Sequence, residues 1–210
     1  MILLLACVDP TLMDSGSLAV EPLALDGVEY TLEWTPRETL ENDLGWSVEL
    51  TEAHLSDWSV ALVPCDLPSK GHGEEVDDST LIGPFESSMT GSWLLGAVDF
   101  DAGWYCQVHV LAAAEEETLR VAGRATREGL SIPFEASTDR AYGALYDLGA
   151  VQQQADPLTL ASLTLTRDVG TMFHGIDFGS EEDLAWAILH NLYDRQEVGL
   201  RLSVHDHAHP

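Results

Sequence analysis

Eight histidines and six tryptophans are the residues of this chain best equipped for chemistry. Three histidines stand in distinctive settings: His54 four residues before Trp58, His72 between Gly71 and Gly73, and His109 closing the segment Trp104-Tyr-Cys-Gln-Val-His109. Imidazole nitrogen suits first-row metals, and copper outcompetes the other divalent ions at nitrogen sites. Two imidazoles on paired strands can stand about 5 Å apart at Cβ, close enough to share one ion. His72, in a glycine-flanked loop, could supply a third ligand. Each residue also has a plainer reading. A histidine on a half-buried strand usually serves as a hydrogen-bonded structural residue, Trp58 fills core, and His72 is solvated. His174 reads as a turn residue and His190 as a helix-surface residue one turn from Trp186. His205, His207 and His209 form a tail that would hold a metal without shaping a site.

Other chemistries lack their residues. There is no phosphate-binding G-x-x-x-x-G-K-[ST], no G-x-G-x-x-G opening a helix, no G-x-S-x-G and no H-E-x-x-H. Lys70 is the only lysine, so Schiff-base chemistry would rest on one residue. With 36 Asp and Glu, a pair of carboxylates says nothing specific about glycoside hydrolysis. Nine Lys and Arg in a chain of net charge −27 cannot neutralise a nucleic-acid backbone. Adsorption to anionic lipid is disfavoured for the same reason. The charge favours cationic partners, metal ions or basic peptides, or serves solubility alone.

The elements that must position these residues are strands. The 210 residues and 45% hydrophobic content suit one domain able to bury a core without a disulfide scaffold. Val28, Tyr30, Leu32 and Trp34 alternate with polar residues, as do Trp46, Val48 and Leu50, with Trp58, Val60 and Leu62 on the same parity. Residues 66–91 read as one long acidic loop. A strong strand follows to Leu111, then a hairpin about Arg127-Glu-Gly129 and a strand over Leu158–Thr166. Ser180 with the acids after it, and the spacing of Leu184, Ile188, Leu189 and Leu192, predict a helix. Val198 to Val204 alternates as a closing strand. The expected fold is mainly β: a β-sandwich or open barrel over residues 26–204 with one C-terminal helix packed on it.

The first seven residues, Met1-Ile-Leu-Leu-Leu-Ala-Cys7, resemble the lipobox ending a bacterial lipoprotein signal, without its basic n-region. That resemblance implies lipidation of Cys7, a tether over residues 8–25, and export to a place in the bacterial envelope. Membrane contact would then come only through the lipid. Cys65 and Cys106 remain, and an even pair in an exported protein most simply forms a disulfide; metal ligation and free thiols are the alternatives. Side chains alternate along a strand, so Cys106 and His109 face opposite ways, as do Cys65 and His54. A bridge between the two strands would then place both histidines on one common face, provided that no bulge intervenes.

Three segments carry a second resemblance: Gly45-Trp-Ser-Val-Glu-Leu-Thr-Glu-Ala-His-Leu55, the glycine-flanked His72, and Ala102-Gly-Trp-Tyr-Cys-Gln-Val-His109. They resemble exported bacterial lipoproteins and surface proteins of the methanotroph copper-binding type, which use two histidines and an oxidised tryptophan. The resemblance implies His54 and His109 as copper ligands and Trp58 as the oxidised residue. The expectation is therefore a lipid-anchored, exported copper-binding protein for capture or storage, without catalysis. The alternative is an acidic β-sandwich surface module that binds protein or carbohydrate through tryptophan-bearing loops, its histidines purely structural.

Overall fold

The computed structural model describes residues 23–35, 40–65, 79–148, 159–180 and 183–204. Cys7, most of the expected tether, the acidic stretch containing His72 and the histidine tail lie outside them. Ten strands and one α-helix follow in chain order: β1 (Leu23–Thr35), β2 (Leu40–Glu41), β3 (Ser47–Pro64), β4 (Leu81–Ser87), β5 (Gly91–Ala112), β6 (Leu119–Arg127), β7 (Leu130–Thr138), β8 (Tyr142–Asp147), β9 (Thr159–Asp168), α1 (Leu184–Asp194) and β10 (Glu197–Val204). The expected tether reached residue 25, but β1 already begins at Leu23.

Hydrogen bonding runs through the strands in the order β10-β9-β1-β5-β3-β6-β7, with β2 and β4 added on β3 and β8 on β5. Two long strands fold this path into two sheets. β5 pairs with β1 over residues 91–105 and with β3 and β8 over residues 105–112. β3 pairs with β6 over residues 47–55, and with β4 and β5 beyond that point. Among the described residues no barrel closes and one α-helix is present, so the observed architecture is a mainly β sandwich with that helix.

Alternation explains the core. Val28, Tyr30, Leu32 and Trp34 point inward and are at most 1% exposed, while Glu33 and Thr35 between and after them are exposed. The helix buries Ala185, Ile188, Leu189, Leu192 and Tyr193, a stripe at helical spacing. Its cap is Asp183 rather than Ser180, since the Asp183 carboxylate accepts the Trp186 N–H. Phe134, Phe173 and Phe178 pack as tilted and edge-to-face rings under this side of the fold. The expected loop over 66–91 is corrected in its second half. Gly83-Pro84 reads as a loop signal, but Leu81, Ile82 and Phe85–Ser87 pair with β3 on either side of it.

Close approach of backbones fixes one glycine. A Cβ on Gly123 of β6 would lie 2.2 Å from the Glu49 carbonyl oxygen on β3. Gly123→Ala should therefore cost about 1–3 kcal/mol, the usual price of overpacking a rigid contact. A urea-unfolding midpoint equal to the parent's would refute this.

Candidate functional site

The sulfurs of Cys65 and Cys106 lie 2.09 Å apart, at bonding distance, with Cα atoms 4.9 Å apart. The bridge ties the end of β3 to β5 where β5 passes from one sheet to the other. Cys106 is itself an extra residue in the pairing, because Val63 is opposite Gln107 and Pro64 opposite Tyr105.

His54 and His109 do not face each other. His54 pairs with Arg120 of β6, on the side of β3 away from the core. His109 sits between buried Val108 and Val110, opposite Ala61 of β3 on one side and Leu145 of β8 on the other. His54 and Ala61 are seven positions apart on β3, roughly 20 Å at about 3.3 Å per residue. By alternation both histidines point away from the core, so it is distance along β3 that keeps them apart. Their relation to the cysteines also differs from simple alternation, because β3 contains extra residues. Trp58 is skipped in the pairing with both β4 and β5, and Thr51 is skipped in the pairing with β6. Core-facing parity on β3 therefore passes from Val48 and Leu50 to Ala53, Leu55 and Asp57, then back to Val60 and Leu62. Trp58, half-buried, occupies the second bulge. Among the described residues, no group of three His, Cys, Asp or Glu side chains is placed to hold a metal ion.

The best-organised polar group in the fold went unread in the sequence. Asp57 turns inward just before the Trp58 bulge and is 2% exposed. It accepts two hydrogen bonds from Arg167 of β9, at 2.7 and 2.8 Å, and a third from the Tyr193 hydroxyl of α1. Arg167 is fully buried and also donates through Nε to the Gln196 side-chain oxygen. Its guanidinium lies 4.6 Å from the Tyr193 ring centroid and 5.4 Å from that of Trp34. Burial alone would favour the neutral arginine, but the Asp57 charge and its hydrogen bonds, with Tyr193 and Tyr146, together outweigh it and raise the Arg167 pKa. This cluster locks β3, β9 and the helix together away from solvent, so its role is positional.

The cluster reaches the surface through tyrosines. The Tyr146 hydroxyl donates to the Tyr193 carbonyl at 2.6 Å, and the Tyr142 hydroxyl to Asp194 at 2.7 Å. Tyr142 also packs 4.3 Å from the His190 ring and edge-on to Trp186. Burial raises the pKa of Tyr193 and Tyr146; for Tyr142, burial and then the Asp194 hydrogen bond push it up to about 12. All three phenols stay protonated in the fold after an unfolded tyrosine, near pKa 10, has ionised. Their stabilisation is therefore complete below pH 10 and declines as pH rises toward the folded pKa values. Urea midpoints should be flat from pH 8 to 9.5 and fall progressively above pH 10; a midpoint constant to pH 11.5 would contradict this.

The start of β5, just after the turn from β4, carries two exposed apolar side chains. Trp93 is 41% exposed and Leu94 66% exposed. The Trp93 indole N–H donates to the Thr90 carbonyl at 2.7 Å, which holds the ring against its own turn. Trp93 pairs with buried Leu32 of β1, yet remains accessible because no described residue pairs with the other edge of β5 there. Leu94 pairs with Thr31 and points outward, beside Glu33 opposite Ser92. The side chain of Trp104, whose exposure would also favour a surface binding module, lies outside the described ones.

The chain matches no protein-family description, no curated protein and no solved structure. No helix among the described residues is long and apolar enough to cross a membrane.

Proposed function

We propose that the chain is an exported, non-catalytic acidic β-sandwich module that binds a protein partner and is held in the bacterial envelope by a lipid on Cys7. Exposure of Trp93 together with Leu94 carries this reading. Tryptophan anchors dominate many protein interfaces, and this one is held in place by its turn before any partner arrives. The bonded cysteine pair supports export, because such bonds persist in oxidising compartments.

Trp93→Ala should weaken partner binding about thirtyfold, equivalent to about 2 kcal/mol for an interface anchor. The urea midpoint should move little. The measurement is quantitative cross-linking of the full-length chain in its own cell envelope, parent against variant. An unchanged cross-link pattern would sink the proposal. Copper capture would regain the lead on a different result: one equivalent of copper bound in equilibrium dialysis and lost in both His54→Ala and His109→Ala.

A further inference from the structure

Among the described side chains, cations are distributed unevenly. Arg120, on β6, pairs with Glu52, Glu117 and Glu135; Arg127 pairs with Asp177, and Arg140 with Asp183. Arg167 is spent inside the core on Asp57. The acids at the β6, β7 and helix end of the fold are thus largely matched.

The outward face of β1, β5, β9 and β10 differs. Register places Ser92, Glu33, Thr166 and Glu197 in one row across β5, β1, β9 and β10. Leu94, Thr31, Thr164 and Gly199 form the next row, and Ala97, Glu29, Ser162 and Arg201 the third. Asp99 follows on β5, opposite Gly27. The extra residue Leu95 restores this parity on β5 after Leu94. Leu94 is therefore the only large apolar side chain in these rows, and small hydroxyl residues surround it. Glu29, Glu33, Asp99 and Glu197 make no ion pair with any residue whose side chain is described. Arg201 holds the one cationic register position, two strands away from Glu29.

We infer that this face, centred on Leu94 and flanked by Glu33, Glu29 and Asp99, docks a basic protein segment that presents lysine or arginine around an apolar side chain. The inference rests on the binding-module reading and adds the face and the chemistry of the partner. Charge complementarity selects the occupant. Carboxylates with no ion-pair partner among the described side chains, around a desolvatable leucine, attract cations over long range and reject acidic surfaces, which fixes specificity and association rate. An acidic second copy of this chain is repelled. The flat, small-residue rows accept a partner lying on the sheet.

The test uses the full chain and a synthetic peptide, Arg-Gly-Arg-Leu-Arg-Gly-Arg, followed by calorimetry at 50 and 200 mM salt. Glu33→Lys/Asp99→Lys should weaken binding at least tenfold. Glu115→Lys/Glu116→Lys, the same charge change on exposed residues elsewhere, should weaken it less than twofold. Leu94→Ser should weaken it about fivefold. Equal losses in the two charge variants would mean general adsorption to an acidic surface and would overturn the inference. So would unchanged binding in Leu94→Ser, or no binding by the parent. If the peptide fails while Trp93→Ala still strips the envelope cross-link, the basic face is wrong and the binding module stands. If neither result appears, both fall.

Discussion

Arg167→Met should lower the free energy of unfolding by about 3–5 kcal/mol, the range found when one partner of a buried ion pair is removed. A domain of this size is stable by about 5–15 kcal/mol in total, so the variant should sit near the edge of folding. The reason is asymmetry. With the guanidinium gone, the Asp57 carboxylate stays buried with only the Tyr193 hydroxyl donating to it, and the Gln196 oxygen loses its donor. The packing of the guanidinium on Trp34 and Tyr193 is lost as well. Asp57→Leu/Arg167→Met, which removes both charges, should recover a large part of the loss, because an apolar pair leaves no uncompensated ion. Urea denaturation of parent, single and double variants measures this. A double variant no more stable than the single one would show that hydrogen bonding to Tyr193 and Gln196, rather than the charge, holds β3 to β9 and the helix.

Cys65→Ala/Cys106→Ala should cost about 4 kcal/mol. The bridge spans 41 positions in sequence, and closing a loop of that length removes about this much freedom from the unfolded chain. The loss should show as a lower urea midpoint, and the parent in strong reductant should match the variant. Neither cysteine is in the core, so lost packing contributes little. A parent midpoint insensitive to reductant would mean that the two sulfurs are not bonded in solution. The bridge and the Asp57–Arg167 pair act on different states: one restricts the unfolded chain, the other costs the folded chain when broken. Their losses should therefore add.

Much of the framework was legible because alternation is a local signal. Val28 to Trp34 names both the strand and its buried face without help from any distant residue. Leu119 to Thr138 reads as a hairpin because Glu128 and Gly129 make a two-residue turn with φ of 50° and 83°, a conformation that glycine enters freely. Counting made a Cys65–Cys106 bridge the simplest of three readings, and the sulfur separation selects it. Residues 81–87 were misread because Gly83-Pro84 is a turn signal wherever it occurs, while the pairing to β3 on both sides of it is a long-range fact.

The two histidines miss each other for a related, long-range reason: register sets His109 opposite Ala61, seven positions along β3 from His54, and it also changes how both relate to the cysteines. Parity arguments need unbroken register, and the extra residues Thr51, Trp58 and Cys106 leave no mark in composition or spacing. A bulge is created by what the neighbouring strands require, since β3 must leave β6 and join β4 and β5 within its own length. Asp57 was unreadable for the same cause: unbroken alternation from Val48 and Leu50 reads it as outward, the Thr51 bulge turns it inward, and only Arg167, 110 positions later, supplies the partner that it needs there.

From its residues alone this protein was determined to be an acidic, strand-built domain with one late helix, because composition and period-two patterning act over neighbours a few residues apart. Which side chains meet was decided only by the fold. Arg167 bonded to Asp57, His54 opposite Arg120 in register, and Leu94 beside carboxylates with no ion-pair partner among the described side chains are products of strand order and register, and those depend on the whole chain packing at once.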